Sequence, residues 1–296
     1  MSLRIHALVL ALNEEIFITN LLNTLYPFCS GISVLTQYDR DWYGKRVEPD
    51  RTLEAVATHD DPQGKIHLAL RRWRSQPAAL NCEIGALSSR AASGVLSHGT
   101  PISEIRSFHR APDYFWIVDA DEFYDTASIP AMLEFLERRR PRGMRVHGFN
   151  YVGTWNRRVP MHVVSFCQFG FVRAGLRFKS RRRAITWKET AVSRLLRAAR
   201  LPDFSASLFG FIECPKDVAV FHHGCWIGDR ARLVAKAAKS THTDANTLEY
   251  PDEVARLPYD WVPTAALPSS ITDGRWPENF FDAAPPTATP LATAAG

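Results

Sequence analysis

The sequence predicts an α/β fold in which a mostly parallel central sheet is flanked by helices and is followed by a less regular C-terminal half. Over residues 1–140, short apolar runs alternate with stretches of helical periodicity, which is the pattern of strands joined by right-handed helical crossovers. Two of those runs, Arg4–Leu12 and Tyr114–Val118, are almost entirely apolar, as expected of strands buried on both faces. No apolar run is long enough to span a membrane.

Hydrophobic periodicity and turn residues place the individual elements. The predicted strands are Arg4–Leu12, Gly31–Thr36, Lys65–Leu70, Tyr114–Val118, Met144–Thr154, His162–Phe171 and Ala219–His222. The predicted helices are Glu14–Tyr26, Arg51–Thr58, Ala78–Leu96, Ser128–Arg139, Lys188–Arg200 and Asp229–His242. We expect one domain over residues 1–282, with halves at 1–140 and 141–282, and a disordered Pro/Ala/Thr-rich tail over 283–296.

The stretch YFWIVDADEFYD, Tyr114–Asp125, carries the most specific chemical signal. Its apolar strand stops at three carboxylates, Asp119, Asp121 and Glu122, and ligands of parallel α/β sheets bind at the carboxyl ends of strands. Asp119 and Asp121 are two residues apart and should point to one side, where their oxygens suit Mg²⁺ or Mn²⁺, whereas Glu122 should point away and support them. The alternative interpretation is a strand end with solvated acids.

Composition sets further limits. Five cysteines with no C-x-x-C spacing favour a reducing compartment and argue against a zinc cluster, so we expect a cytoplasmic protein, free or peripheral at a membrane. The opening run is followed by no small-residue cleavage site and is interpreted as the first strand. Residues 138–200 hold 17 Lys and Arg against one acid, a net charge of +16, and the remainder carries −11. The basic segment predicts an anionic partner, which could be nucleic acid, a phosphorylated substrate or a lipid headgroup, or else a solvated surface.

In the first 125 residues the order of motifs resembles that of the GT-A glycosyltransferases, especially the family-2-like group. The resemblance rests on Asn-Glu-Glu after the first strand, an acid after the second, then PDRTLE, AALN and VDADEFYD. It implies a Rossmann-like GT-A fold whose first half binds a nucleotide-diphosphate sugar, most simply a UDP-sugar, and whose second half binds the acceptor. It also implies that Asp119 and Asp121 hold Mn²⁺ or Mg²⁺. The matching nucleotide-pocket positions are Asn13, Glu15, Asp39 and Asn81. The family's acidic run after strand two is replaced here by QYDRD.

A second match is HHGCWIGDRARLVAKAAKSTH, His222–His242. It is similar to the H-x-S-W…K…S-x-x-H stretch of metal-dependent GT-A enzymes, including the family-17 N-acetylglucosaminyltransferases, with Cys225 where serine is usual. The resemblance implies that His223, or alternatively His222, is a third metal ligand. Lys239 and His242 either contact phosphate or belong to a solvated helix face.

The resemblance implies a hexosyl- or N-acetylhexosaminyltransferase, and we expect inversion, in which a general base deprotonates the acceptor hydroxyl. Glu189 is the one acid in the basic segment and the first candidate; the alternatives are Asp203, Glu213 and Asp217. Trp155 and Trp187, with the basic run Arg177–Arg183, could form an acceptor platform.

The expected acceptor is a glycan, a lipid-linked molecule or another hydroxyl compound, and it could be anionic. Two other classes of function stay open. One is a nucleic-acid-binding protein that uses residues 138–200, and the other is a metal-dependent phosphohydrolase.

Overall fold

The computed structural model describes residues 3–42, 44–93, 111–162, 164, 166–179, 187–200, 209–239 and 256–283. Within these ranges the strands form a single mixed sheet. The strands are β1 (Ile5–Leu10), β2 (Gly31–Thr36), β3 (Ile66–Leu70), β4 (Tyr114–Asp119), β5 (Glu122–Tyr124), β6 (Gly143–Gly153), β7 (Arg157–Val159), β8 (Phe166–Arg173), β9 (Phe211–Glu213), β10 (Val220–Ile227) and β11 (Asp260–Trp261).

Helices pack on the sheet and connect its first strands. They are α1 (Glu15–Leu25), α2 (Thr52–Ala57), α3 (Gln76–Ser93), α4 (Ile129–Arg139), α5 (Trp187–Ala198), α6 (Arg230–Lys239) and α7 (Ser269–Thr272), with 3₁₀ turns at Thr264–Ala266 and Glu278–Phe280. Among the described residues, no helix combines the length and the apolar character that crossing a membrane would require.

The N-terminal half of the sheet is entirely parallel. β1 lies between β2 and β4, and β3 follows on the far side of β2, so the order here is β4-β1-β2-β3. The carboxyl ends of these strands meet at one edge, because Leu10 is in register with Leu35 on one side and with Asp119 on the other. The α/β class and the parallel sheet are therefore confirmed, and the strand at Gly31–Thr36 has the predicted bounds.

The C-terminal half of the sheet is mixed. β8 pairs antiparallel with both β4 and β6, while β6 continues on to pair antiparallel with β7. On its other side, β6 pairs in parallel with β9 and then with β10. β10 also pairs antiparallel with β5, so the strand that carries the histidines lies beside the residues that follow β4.

Two apolar clusters cover the faces of the sheet. Successive side chains of β4 alternate between them: Trp116 and Val118 belong to one cluster, and Phe115 and Ile117 belong to the other. α1 buries Phe17 and its helical neighbours in the first cluster. α3 buries Leu80, Ile84 and Leu87 in the second, and these residues have the spacing of one helical face. Burial of each such side chain contributes roughly 1.5–3 kcal/mol, so the faces of α1 and α3 fix both helices against the sheet.

Some elements differ from the prediction. β5, β7, β9 and β11 were not predicted, because runs of two or three residues are too short to show a period. β10 was predicted to end at His222 but runs on to Ile227, where its register with β6 shifts between His223 and Trp226. The unassigned stretch Ile102–Ala111 (all but its last residue), the end of the helix predicted to reach Leu96 and the tail from residue 284 lie outside the described residues.

Candidate active site

The predicted site residues follow three parallel strands at one edge of the sheet. Asn13 comes three residues after β1, Asp39 three residues after β2, and Asp119 is the last residue of β4. Since the carboxyl ends of parallel strands share an edge, all three residues lie at the edge where parallel α/β sheets generally bind ligands. The structure thus places these residues at one edge of the sheet, and the pocket predicted there stays a prediction.

Asp121 meets His223 across the chain. Asp121 is 4% exposed, and its Oδ1 lies 3.4 Å from the Nε2 atom of His223. The other imidazole nitrogen, Nδ1, is 2.9 Å from the Oδ1 atom of Asn150 in β6. The imidazole is therefore held on both sides, by a carboxylate and by an amide oxygen.

The main chain fixes the same contact. β5 and β10 pair so that His223 is in register with Glu122, and the backbone N–H of Gly224 donates to the carbonyl oxygen of Asp121 at 2.8 Å. Gly224 is also closely packed: a Cβ at this position would lie 2.8 Å from Cη2 of Trp155 and 3.1 Å from Cε1 of Phe17. Glycine allows the approach of β10 to these rings that places His223 against Asp121.

Neighbouring groups raise the pKa of His223. Burial lowers the pKa of its imidazole, but interactions with Cys225 and Asp121 outweigh burial and hold the pKa well above its usual value. The raised pKa favours an ion pair between His223 and Asp121 in the absence of a competing cation.

His222 points elsewhere, as expected for the next residue along a strand. Its Nδ1 lies 2.6 Å from the hydroxyl oxygen of Tyr151, and its ring is 6.0 Å from that of Phe149. Burial, with a smaller contribution from Arg158, lowers the pKa of His222 to about 3. His222 is therefore a neutral residue of the interior, and of the two histidines it is His223 that faces Asp121.

Glu122 holds the neighbouring backbone in place through its buried carboxylate. It is fully buried, and its Oε2 accepts a hydrogen bond from the backbone N–H of Asp119 at 3.1 Å. Its Oε1 accepts another from the side-chain amide of Gln168 in β8. Both oxygens thus serve to fix the chain between Asp119 and Asp121, in agreement with the supporting role predicted for Glu122.

The carboxylates and histidine do not form a closed three-ligand set. In the part of the chain that the structure describes, the one group of three His, Cys, Asp or Glu side chains with ligand atoms within 4.8 Å of one another is His147, Cys167 and Glu213. Asp119, Asp121 and His223 are not gathered that tightly, so the role predicted for them as joint metal ligands stays a prediction.

The Asn-Glu-Glu loop is bound to the segment that begins α2. Asn13 adopts a left-handed conformation with φ 56°, donates from Nδ2 to the carbonyl oxygen of Glu48 at 2.8 Å, and accepts from the N–H of Asp50. Asp50 accepts from the N–H of Glu15 and from that of Thr52, so one carboxylate caps two helices. The Glu15 carboxylate accepts from the backbone N–H of Arg51. These residues hold the loop against the start of α2 through hydrogen bonds. Their contacts with a nucleotide stay a prediction.

Two other predicted pocket residues have protein partners. Asp39 lies 3.2 Å from the guanidinium of Arg72, an exposed pair that contributes little to stability. The amide of Asn81 donates to and accepts from the backbone of Phe178, at 2.7 Å in each direction. Asn81 therefore joins α3 to the chain after β8, a role that the sequence did not suggest.

Trp155 is not part of an acceptor platform, contrary to the prediction. Its side chain is fully buried, and its ring contacts those of Phe17, Phe123, Tyr151 and Trp276 at centroid distances of 5.2–6.4 Å. Aromatic composition alone cannot distinguish a residue that stacks on a ligand from one that fills a core, because both uses favour large rings.

Several arginines of the basic segment also pack inward. The guanidinium groups of Arg145 and Arg158 lie 4.7 and 4.6 Å from the ring centroids of Phe169 and Phe149. Arg157 forms a two-bond pair with Asp282. Part of the positive charge thus serves internal contacts, which weakens the case for an extended nucleic-acid surface.

The candidate general bases are only partly described. Glu189 lies in α5 and Lys239 ends α6, but their side chains, and that of Trp187, are outside the described residues, as are residues 201–208 with Asp203 and residues 240–250 with His242. Asp217 is exposed in the turn before β10, and Glu213 ends β9 beside His147.

Asn150, Gln168 and Arg232 were missed by sequence reasoning. Asn150 and Gln168 belong to β6 and β8, and their roles depend on strand register, which single-sequence patterns do not fix. Arg232 lies over the ring of Phe17 at 4.8 Å and is 3.7 Å from Oε2 of Glu14. Its position within GDRAR, shortly after the histidines, was the available signal.

Comparison with known proteins gives no assignment by sequence: no family model and no curated protein matches the chain. A search of solved structures finds S. aureus TarS 1–349 in complex with UDP-GlcNAc, at 16% identity and TM-score 0.31, covering 53% of this chain and 37% of that one. TarS 1–349 without ligand is 13% identical with TM-score 0.35, over 82% of this chain and 67% of that one.

Glucosyl-3-phosphoglycerate synthase from Mycobacterium tuberculosis, in complex with Mn²⁺, UDP and phosphoglyceric acid, is 15% identical with TM-score 0.27, over 50% of this chain and 43% of that one. The chain thus spans about two fifths of the TarS complex and of this synthase, and two thirds of ligand-free TarS. Similarities this low assign neither a fold family nor an activity.

Proposed function

We propose that the chain is a metal-dependent glycosyltransferase of GT-A type that moves a sugar from a nucleotide-diphosphate sugar, a UDP-sugar, to an acceptor hydroxyl. The observation that carries the proposal is the 3.4 Å contact between Asp121 and His223 at the carboxyl edge of the parallel sheet. The two residues belong to motifs about a hundred positions apart that resemble the same kind of enzyme. A solvated acid at a strand end would not require this buried partner.

The donor would lie across the edge where β1, β2 and β4 end. Asn13, Glu15 and Asp39 occupy loops at that edge, and their carboxylate and amide oxygens could accept hydrogen bonds from a base or a ribose. The diphosphate would then reach Asp119 and Asp121 at the end of the central strand. Lys239, which ends the helix after the histidine motif, is proposed as a phosphate contact.

The donor set fits a hard divalent cation. The oxygens of Asp119 and Asp121 and the imidazole nitrogen of His223 are ligand types that Mn²⁺ accepts, and Mg²⁺ would use mainly the carboxylates. When bound, the cation would supply the positive charge that stabilises the departing diphosphate.

Protein contacts prepare this arrangement. Asn150 orients the imidazole through Nδ1, which directs Nε2 toward Asp121. Glu122 holds the backbone of Asp119 through a buried carboxylate. Such fixed neighbours reduce the reorganisation that a ligand set must undergo on binding.

The proton of the acceptor hydroxyl must go to a base if the reaction inverts the configuration of the sugar. Glu189 is proposed for that role, with Asp203, Glu213 and Asp217 as the alternatives. Glu213 is the least suited of these, because its carboxylate already lies 3.3 Å from His147. The sugar transferred is proposed to be a hexose or an N-acetylhexosamine.

The test measures release of nucleoside diphosphate from UDP-glucose and UDP-N-acetylglucosamine, with Mn²⁺ and with a chelator. The variants are Asp121→Asn and, as a matched control, Asp60→Asn, which removes an exposed acid from the loop before β3. We expect turnover only with metal, a loss of at least about 100-fold in kcat/KM for Asp121→Asn, and no change for Asp60→Asn.

Calorimetry of UDP binding, with and without Mn²⁺, tests the site without an acceptor. It therefore distinguishes a defective site from an assay that lacks the right acceptor. Metal-enhanced binding that Asp121→Asn removes would support the proposal even if the true acceptor is missing from the assay. Turnover that does not need metal, or that survives Asp121→Asn, would contradict it.

A further inference from the structure

A histidine, a cysteine and a glutamate from three strands converge on one face of the sheet. His147 lies in β6 directly opposite Cys167 of β8, and Glu213 ends the neighbouring strand β9 in register with Arg145. Arg145 and His147 are two residues apart on β6, so all three side chains share a face. Asn150, which holds His223, is three residues further along β6 and points to the opposite face.

Both ligand-atom distances from His147 are close to those of a tetrahedral metal site. Nε2 of His147 is 3.3 Å from Oε2 of Glu213 and 3.9 Å from Sγ of Cys167, and all three ligand atoms lie within 4.8 Å of one another. With Zn–N, Zn–O and Zn–S bonds of about 2.0–2.3 Å, tetrahedral geometry requires roughly 3.4 Å between N and O and 3.6 Å between N and S. The two distances from His147 thus lie within a few tenths of an ångström of these values, and the sulfur and the carboxylate oxygen lie within 4.8 Å of each other.

Two other uses of these residues fit less well. In a nucleophilic cysteine pair, the thiol contacts one imidazole nitrogen and the orienting acid contacts the other. Here Cys167 and Glu213 both lie next to the same nitrogen, Nε2 of His147. The second alternative is a cluster held by hydrogen bonds alone. In that case the distance of 3.9 Å between Sγ of Cys167 and Nε2 of His147 would be a weak hydrogen bond.

Charge and access also favour an ion. A thiolate and a carboxylate would neutralise a divalent cation, and the neutral imidazole would complete three ligands without leaving net charge in a half-buried site. The side chain of His147 is 18% exposed and that of Glu213 is 54% exposed, so an ion can enter from solvent. A water molecule would supply the fourth ligand.

We propose that His147, Cys167 and Glu213 bind Zn²⁺ through Nε2, Sγ and a carboxylate oxygen. The ion joins β8, β6 and β9 on the face of β6 opposite the side chain of Asn150. Its role is structural: it fixes the mixed half of the sheet, and it is independent of the glycosyltransferase activity proposed above.

The experiment titrates untagged, metal-stripped protein with ZnCl₂ by calorimetry and with Co²⁺ by absorbance, since cobalt bound to a thiolate gives a charge-transfer band. The variants are Cys167→Ser and Glu213→Gln, the second of which changes an exposed side chain and should fold normally. Cys82→Ser, at an exposed cysteine in α3, and Cys225→Ser, at the cysteine beside His223, are the matched controls.

We expect one equivalent of Zn²⁺ per chain whose binding depends on Cys167, and a thiolate–cobalt band, in the wild type and in both controls. Removal of a supporting group around a metal costs about 10–100-fold in affinity, so loss of a ligand in Cys167→Ser or Glu213→Gln should weaken Zn²⁺ binding at least as much. The band should disappear in Cys167→Ser. No zinc binding by the wild type, a band that depends on Cys225 instead, or unchanged affinity in Glu213→Gln would overturn the proposal.

Discussion

The contact between Asp121 and His223 can be measured as a coupling free energy. Its atoms are 3.4 Å apart, and the two side chains are 6% and 14% exposed, so the pair is screened little by water. At an effective dielectric constant of about 20, two opposite unit charges at this distance attract by about 5 kcal/mol, before the cost of removing them from water is subtracted. Removing one partner of a buried pair typically costs about 3–5 kcal/mol, because the other charge is left without compensation.

The perturbation is a double-mutant cycle of Asp121→Asn and His223→Gln, substitutions that remove the charges and keep polar side chains of similar size. We expect each single variant to lose about 3 kcal/mol in free energy of unfolding, and the double variant to lose about 2 kcal/mol less than the sum. The hydrogen bond from His223 to Asn150 is lost in both arms that carry His223→Gln, so it cancels from the coupling.

Urea unfolding at pH 7, followed by circular dichroism, gives the four free energies. A cycle of Asp60→Asn with His223→Gln serves as the control and should be additive within about 0.5 kcal/mol, since Asp60 is exposed in the loop before β3. If the Asp121 and His223 losses are also additive within that margin, the two side chains do not interact, and the site drawn from them is wrong.

Three further outcomes are expected. Asp50→Ala removes the carboxylate that caps both α1 and α2, so it should cost about 2 kcal/mol in urea unfolding, against no measurable change for Asp60→Ala. Burial raises the pKa of Cys29 from 9.0 to about 12, because the folded protein disfavours the thiolate. The contribution of the neutral thiol to the free energy of unfolding is therefore complete below pH 9 and is lost between pH 9 and 12. Between pH 8 and 10 the wild type should lose about 1.4 kcal/mol more than Cys29→Ala, whereas Cys82→Ala should follow the wild type. Trp155→Phe should lower the melting temperature and leave the KM for any acceptor unchanged, because its ring is buried; a KM effect without a stability effect would restore the platform hypothesis.

The parallel half of the fold could be predicted because its signals are local. β1, β2 and β4 are unbroken apolar runs, each followed by polar turn residues, and α1 and α3 show helical spacing of the side chains that they bury. Each strand is buried on both faces, so its apolar character does not depend on which neighbour it pairs with.

The mixed half was less predictable because its pairing is not local. β6 contacts four other strands, two of which, β7 and β9, have three residues each. Whether Asn150 faces His223, or His147 faces Cys167, depends on register across strands that lie 20–73 residues apart in sequence. A shift of one residue would exchange the two faces, and no pattern within one segment records that choice.

The residues of the candidate site also divide into those with a local sequence signal and those that depend on long-range contacts. Asp121 and Glu122 were identifiable because three acids end an apolar strand, and their division into ligand and support followed from strand alternation. His223 could be distinguished from His222 only by resemblance, and the structure separates them because one faces Asp121 and the other faces Tyr151.

Two different physical constraints act on the motif His-His-Gly-Cys-Trp, and a sequence match does not distinguish them. One is chemical, because His223 must reach Asp121. The other is steric, because Gly224 lies where a Cβ would approach the ring of Trp155 to 2.8 Å. The same backbone N–H of Gly224 binds the carbonyl oxygen of Asp121, so the glycine and the buried tryptophan set the distance at which the histidine meets the carboxylate. Trp155 thus bears on the proposed chemistry through packing rather than as the acceptor surface that its sequence context suggested.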